Sequence, residues 1–536
     1  MASLTVRQGV LGKRLAAHLL RRTTYHITPA RITDFATKTA TQAVDELFTI
    51  PPLIEDKGPI NYEDGINFWL TDDPYVPPSN TNEAEKSVLF WFYNELMHDS
   101  SIRHKMAVFY SAIFVSDGDT DWRLFNSYRL FQEFATGNIK DFVYRVSLDN
   151  RMLRYLNNNV NNKWNPNENY AREFLELFTI LKGEQIGAGD YSNYTEHDIQ
   201  EAAKILTGLR DGAITDIEPS TGLTIGYAYY NHHHIGNKQF SHHFDNQIII
   251  GATSESDMYR EFQEFVDMVF GRLETARAFV RRLYLFFVSD NISTEIEQDI
   301  IEPLALQFSA DNYELENILK KLLKSVHFFD EDDSDNTDEV IGGKIKSPLE
   351  LYFPTINLFD ANNMGGLNAT PSNFPDYSGR LINDILAVMG FSEYAISVEG
   401  YAGFFKSPGF SKNWVDTSTL PMRYKMASAL LNGSTIVSIY QNLPFEVDIV
   451  IYVKDNFINQ EYADQLLTQV FEITLPEMPD ADRWDYFKDK LIGGISVINW
   501  MFEWQNYMAT NDDSAVKVVL EDLFEALIGS PEFQTF

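Results

Sequence analysis

Five of the chain's eleven histidines fall in one short stretch, as His232, His233, His234, His242 and His243. Clustered imidazoles are the commonest ligands for zinc, copper, nickel or iron, so this stretch is the first candidate for a divalent transition metal. A site of that kind also wants a carboxylate. Glu173 and Glu176 offer one: with Asn169 they fall at i, i+4 and i+7 of the segment NPNENYAREFLELFTI and make a polar stripe on a helix. A metal held by His233 with Glu173 or Glu176, and with His232 or His234 beside it, would activate a bound water or oxygen. The same residues admit a structural reading. The glutamates would then pair with Arg172 and Lys238 in a buried ionic network that fixes the histidine loop on the helices. A third candidate is the alternation Asp117, Asp119, Asp121, whose carboxylates could wrap a calcium ion. An EF-hand loop would want Gly and Glu where Trp122 and Tyr128 stand, and a polar turn that starts a helix is the simpler reading.

The elements that must position these groups are legible around Asn165–Leu209. Asn165 is a good N-cap and Pro166 suits a first helical position. Glu168 sits in the first turn, where a carboxylate complements the helix dipole. Tyr170, Phe174, Leu177, Phe178 and Leu181 recur at helical spacing as an apolar face. Arg172 lies four residues from both Glu168 and Glu176 and can pair with either. After a glycine loop, Thr195 and Asp198 form a capping box with Asp in place of the usual Glu. Ile199, Ala202, Ala203 and Leu206 make the next face, and Gly208 stops the helix. Residues 211–250 lose the helical period and read as a small β or irregular insertion carrying the histidines.

Composition limits the partners. The formal charge is −34 over 536 residues. Phosphate binding needs a basic surface, so nucleic acid is excluded as a partner, and an anionic membrane surface is disfavoured. There is no cysteine, which rules out disulfides, thiolate zinc sites and cysteine nucleophiles. No apolar run approaches eighteen residues and the N-terminus lacks a signal-peptide core, so a cytoplasmic protein without membrane insertion is expected. No Walker A loop, dinucleotide fingerprint, Gly-x-Ser-x-Gly elbow or His-Glu-x-x-His motif is present.

The strings NPNENYARE-LELF and YTE-D-QEAAK-LTG resemble the signature of domain of unknown function 1800 (DUF1800), a bacterial family. Further segments agree in the same order: AAHLLRRTTYHITPARITDFA, HHIGNKQF, TARAFVRRLYLFFV, KIKSPLEL, NWVDTSTLPMRY and SPEFQTF. The resemblance spans nearly the whole chain. It implies a mostly helical protein with no assigned reaction, often encoded beside a protein that resembles the alkaline phosphatase superfamily. In HHIGNKQF it matches His233, Gly236 and Lys238. Many relatives carry Trp-His-Asn-His-Phe where this chain has Tyr110-Ser111-Ala112-Ile113-Phe114, and Val-Ala-Gly-Trp where it has Val398-Glu399-Gly400-Tyr401. An activity that depends on the paired histidines would be missing here.

The rest of the chain reads as a mainly α protein forming one body over residues 1–536. Residues 8–48 predict two helices, with Arg21 and Arg22 as a salt-bridging surface. Residues 50–83 predict a surface loop. Residues 255–328 predict three helices, with Arg281 and Arg282 paired to acids, and residues 330–342 an acidic, solvated loop. The reading these observations favour is a structural or protein-interaction component. The alternative is a metal-dependent hydrolase or oxidoreductase built on the His-rich segment and the NENYARE helix.

Overall fold

The computed structural model describes residues 1–53, 58–59, 81–116, 122–332, 340–361, 385–389, 391–392, 397–398, 410–433, 447–494 and 496–536. Most of the 50–83 loop, the calcium candidates Asp117, Asp119 and Asp121, residues 399–401, and the centre of the acidic 330–342 run lie outside the described residues.

The chain opens with three helices rather than two: α1 (Gly12–Thr23), α2 (Pro29–Ala36) and α3 (Ala40–Leu47). The extra break is chemical. Thr39 and Gln42 form a complete capping box and start α3 afresh after a short turn. Then follow α4 (Thr81–His98), α5 (Arg103–Ile113), α6 (Trp122–Glu133), α7 (Ile139–Val146) and α8 (Asn150–Tyr155). α5 is buried along its whole length, including Tyr110–Ile113, and the Tyr110 hydroxyl donates to the Phe134 carbonyl at 3.0 Å.

α9 (Glu168–Glu173) begins two residues later than the sequence predicts. Asn165 is spent in a bridge to Asn162, and Asn167 becomes the cap by accepting the Asn169 N–H. The helix continues as a π turn over Phe174–Phe178. A wider turn shifts the side-chain register. Tyr170, Phe174, Leu175 and Phe178 are therefore buried, while Leu177 is half-buried and Leu181 falls beyond the turn at a positive φ of 66°.

α10 (Glu196–Leu206) carries the expected Thr195–Asp198 capping box. Around and after it, short antiparallel ribbons replace helices: β1 (Gln185–Gly187) with β2 (Asp190–Tyr191), β3 (Leu209–Arg210) with β4 (Tyr227–Ala228), and β5 (Lys238–Gln239) with β6 (Ile248–Ile249). A fourth ribbon pairs β7 (Phe391–Ser392) with β8 (Ser397–Val398). The 211–250 insertion is thus a set of two-residue pairings on a helical body.

α11 (Glu255–Phe270) and α12 (Leu273–Phe287) follow, then α13 (Glu302–Ala310) and α14 (Leu315–Leu323). The sequence reading misses α13, which is entered through a π turn over Glu297–Ile301. The later helices are α15 (Pro348–Leu358), α16 (Thr419–Asn432), α17 (Ile449–Asn456), α18 (Ala463–Thr474), α19 (Ala481–Ile492), α20 (Val497–Thr510) and α21 (Ser514–Ile528). The protein is mainly α. Among the described residues no helix is long and apolar enough to cross a membrane.

Two arginine expectations are corrected. Arg21 and Arg22 are not surface groups: both are buried, because α1 packs between α2 and α18. Arg21 donates to the Ile473 and Leu475 carbonyls at 2.7 and 3.0 Å, satisfying acceptors that the end of α18 leaves open. Arg281 pairs with Glu297 as expected. Arg282 instead turns inward and donates to the Leu177 and Phe178 carbonyls at the end of the π turn. Burial pulls its guanidinium down to about 9.

Candidate functional site

The carboxylates of the α9–α10 pair are engaged with cations. Arg172 reaches Glu196 at 2.7 Å, Glu176 at 3.3 Å and Glu168 at 3.4 Å, and Lys182 adds a second contact to Glu176 at 3.1 Å. Burial alone would raise Glu176, but the Tyr194 hydroxyl, Lys182 and Arg172 hold it below the usual carboxylate range. Glu173 is half-buried on the same helix.

His233 lies in a different network. It is fully buried, as are Lys238 from β5 and Glu261 from α11. Its Nδ1 faces the Thr207 carbonyl at 2.7 Å and its Nε2 faces Glu261 Oε2 at 2.6 Å. Lys238 donates to the other Glu261 oxygen and to the His234 carbonyl at 2.6 Å. Both ring nitrogens are therefore occupied by protein groups. Gly208 makes this approach possible. Its φ is +78°, and a Cβ there would stand 2.7 Å from the Tyr229 carbonyl and 3.1 Å from the His233 nitrogen. His232 accepts from Arg210 at 2.8 Å and packs on Trp164. His234 Nδ1 is buried, and burial with Lys238 nearby lowers that ring's pKa. Lys238 thus takes Glu261 where the sequence offered Glu173 or Glu176, while Arg172 takes Glu176 as expected.

The remaining histidines form the grouping with metal-ligand reach. Asp190, His242 and His243 each present a donor atom within 4.8 Å of the others, the one such set among the described residues. His243 Nε2 lies 2.8 Å from Asp190 Oδ1. Asp198 holds the turn in place: it caps α10 through Thr195 and also accepts the Ser241 N–H and hydroxyl at 2.7 and 2.6 Å.

The densest concentration of unusual chemistry lies elsewhere, around Glu350 at the start of α15. Lys105 from α5 pairs with Glu350 Oε1 at 2.7 Å, and the Ser347 N–H donates to Oε2 at 2.9 Å. Lys344 donates to the Leu285 and Phe286 carbonyls at 2.7 and 2.6 Å, and Lys346 to the Phe533 carbonyl at 2.5 Å. Arg423 from α16 donates to Gln534 and to the Lys346 carbonyl. Arg22 sits over the Phe536 ring, 4.4 Å from its centroid. All five cations are buried. Burial lowers Lys344 to about 8 despite Asp290 and Glu350, lowers Lys346 well below its ordinary range, and brings Arg22 and Arg423 to about 10. Burial would raise Glu350, but Lys105 and Lys344 outweigh it and hold the carboxyl at about 2. A cavity of about 20 Å³ opens among Tyr25, Lys344, Ser347, Glu350 and Trp414.

The sequence reading did not single out this region as a site, yet its signal was present. The segment AAHLLRRTTYH supplies Arg22 and Tyr25, and KIKSPLEL supplies Lys344, Lys346 and Glu350. NWVDTSTLPMRY brings Trp414 and Arg423, SPEFQTF brings Gln534 and Phe536, and TARAFVRRLYLFFV brings the carbonyls that Lys344 binds. These are stretches that carried the family resemblance, and they meet in space. The family whose sequence pattern matches is described as "Protein of unknown function (DUF1800)", over residues 18–535. The chain belongs to this family. Neither the curated proteins nor the solved structures yield a match. In this DUF1800 chain, recognisable segments thus serve as internal ties around one buried charged centre as well as in the α9–α10 pair.

Proposed function

We propose that this DUF1800 protein is a protein-binding component whose docking surface is the outer side of α20. The observation that carries the reading is an apolar face without cover among the described residues. Ile498, Phe502 and Met508 are 57%, 60% and 54% exposed, while Trp500, Trp504 and Tyr507 on the opposite side are buried. Ile498, Phe502 and Ala509 fall at i, i+4 and i+11 and share a side, with the polar Gln505 among them and Met508 at its edge. Exposed aromatic and aliphatic residues grouped on one element mark interaction surfaces more often than scattered ones do. The net charge of −34 selects against a second copy of the same chain and for a partner with a basic rim. The partner we assign is the alkaline-phosphatase-superfamily-like protein that, as the resemblance implies, is often encoded beside such chains. Co-expression with that protein, tagged, tests this. Phe502→Asp should lower the co-eluting fraction at least tenfold, and Val160→Asp, at an apolar residue 63% exposed elsewhere, should not. Equal retention of both variants, or a homodimer abolished by Phe502→Asp, defeats the assignment.

A second reading, a metal-dependent enzyme, is favoured by Asp190, His242 and His243. Two imidazoles and a carboxylate are a donor set suited to zinc, nickel or copper, with positions left for water. A groove of about 330 Å³ begins at the next residues, Phe244 and Asp245. Zinc binding that disappears in His243→Ala and survives in His232→Ala supports this reading, and no binding above background ends it.

A further inference from the structure

The β1–β2 ribbon and the histidine turn that faces it are fixed to the body very differently. The turn is firmly held. Ser241 is bound through its N–H and its hydroxyl to Asp198, which is fully buried in the first turn of α10, and the Ser241 hydroxyl accepts the His243 N–H at 3.2 Å. The ribbon is weakly built. It pairs three residues with two across a register shift, and Gln185, Ile186 and Ala188 are exposed. A two-stranded ribbon is at best marginally stable in water. Among the described residues one polar side-chain tie joins ribbon and turn, between His243 Nε2 and Asp190 Oδ1 at 2.8 Å. Beside it stands His242, exposed, its ring centroid 4.0 Å from that of His243 and its nitrogens without a hydrogen-bond partner among those residues.

We propose that a divalent transition metal at Asp190, His242 and His243 is an exchangeable clip that fastens the β1–β2 ribbon to the histidine turn. This role rests on the metal reading of the three residues and adds what the ion does to the fold. The donors lie within 4.8 Å of one another but come from segments 53 residues apart, so one ion bridges the firm element and the weak one. Where an ion binds only the assembled site, its binding free energy becomes free energy of assembly. Three protein donors are one short of a closed structural zinc site, and His242 is open to solvent, so the ion can enter and leave. The ribbon also carries Tyr191, whose hydroxyl donates to Glu196 at 3.2 Å and whose ring lies under Lys182. Fastening it therefore bears on the Arg172 network of α9 and α10.

The test is backbone amide exchange of the full chain in zinc and in chelator, beside equilibrium dialysis for bound zinc. An opening that must release a ligand is suppressed in proportion to the excess of free ligand over its Kd. With free zinc at about ten times the measured Kd, the hydrogen-bonded amides of Tyr191 and Ser192 should exchange about tenfold more slowly than in chelator, and those of α12 should not change. His242→Ala removes a donor that makes no hydrogen bond, so it should keep the chelator rate and lose the slowing. Zinc bound with unchanged exchange at Tyr191 and Ser192 overturns the clip and leaves the metal reading standing. Equal slowing in His242→Ala overturns the three-donor clip, and no bound zinc overturns both the clip and the metal reading.

Discussion

Two buried charge centres in this protein are built from the same residue types and end in opposite states. At Glu261 a histidine and a lysine close on one carboxylate, and each oxygen has its own partner. At Glu350 one carboxylate faces several cations, most of which end on carbonyls. The first is a closed lock between the histidine loop and α11. The second ties several cations mostly to backbone carbonyls, with a small cavity beside it. The difference shows that burial of ionic groups does not by itself indicate function. What distinguishes the two is whether a buried cation is paired with a carboxylate, as Lys238 is, or ends on carbonyls, as Lys346 does.

The comparison is broken most severely at the closed centre. Glu261→Gln leaves Lys238 buried without its counter-charge, and should cost about 3–5 kcal/mol in urea unfolding. A smaller cost would mean that the network is not closed in the way described.

The next effect separates the centres by pH. Lys344 falls to about 8 in the fold against an ordinary 10.5, so above pH 8 the unfolded chain binds more protons than the folded one. Stability therefore rises with pH from about 8 toward 10, by up to about 1.4 kcal/mol for each unit in which the difference is one full proton. From about pH 10 upward Tyr25 opposes that rise, because burial holds it well above its ordinary 10.0 and only the unfolded chain ionises there. At the acid end Glu350, at about 2 against 4.5, stabilises the fold above pH 4.5, and that contribution is lost as pH falls from 4.5 to 2. Lys344→Met should flatten the alkaline rise, which chemical denaturation at fixed pH values would show.

A smaller effect sharpens the closed centre through its backbone. Gly208→Ala places a Cβ against the Tyr229 carbonyl in a left-handed residue and should cost about 1–3 kcal/mol. The loss should appear with faster amide exchange at His233.

The elements were largely legible in the sequence, because capping residues and apolar periods are local. The Thr195–Asp198 box, the Gly208 stop and the ribbon-rich 211–250 stretch all follow from neighbours in the chain. The π turns were not legible: Phe174–Phe178 repeats at nearly helical spacing, and the extra residue per turn is decided by packing and by Arg282 capping its carbonyls. The charge centres were legible only in part. His233 and Lys238 were visible as a pair, but Glu261 stands in an ordinary amphipathic helix and nothing local marks it as their partner. Arg21 and Arg22 read as surface charges because a run of two arginines usually is. Arg21 is buried against α18, some 450 residues away in sequence, and Arg22 against Val340 and Phe536.

The most direct test of this difference is the unfolding free energy of Lys346→Met, measured beside Lys238→Met. Removing Lys346 gives up one hydrogen bond, to the Phe533 carbonyl, and relieves repulsion from Arg21 and Arg423, so Lys346→Met should stay within about 1 kcal/mol of the wild type. Lys238→Met should lose about 3–5 kcal/mol, because it strips a matched charge. Equal losses in the two variants would contradict the claim that Lys238 is matched by a carboxylate while Lys346 is held by a carbonyl alone among the described residues.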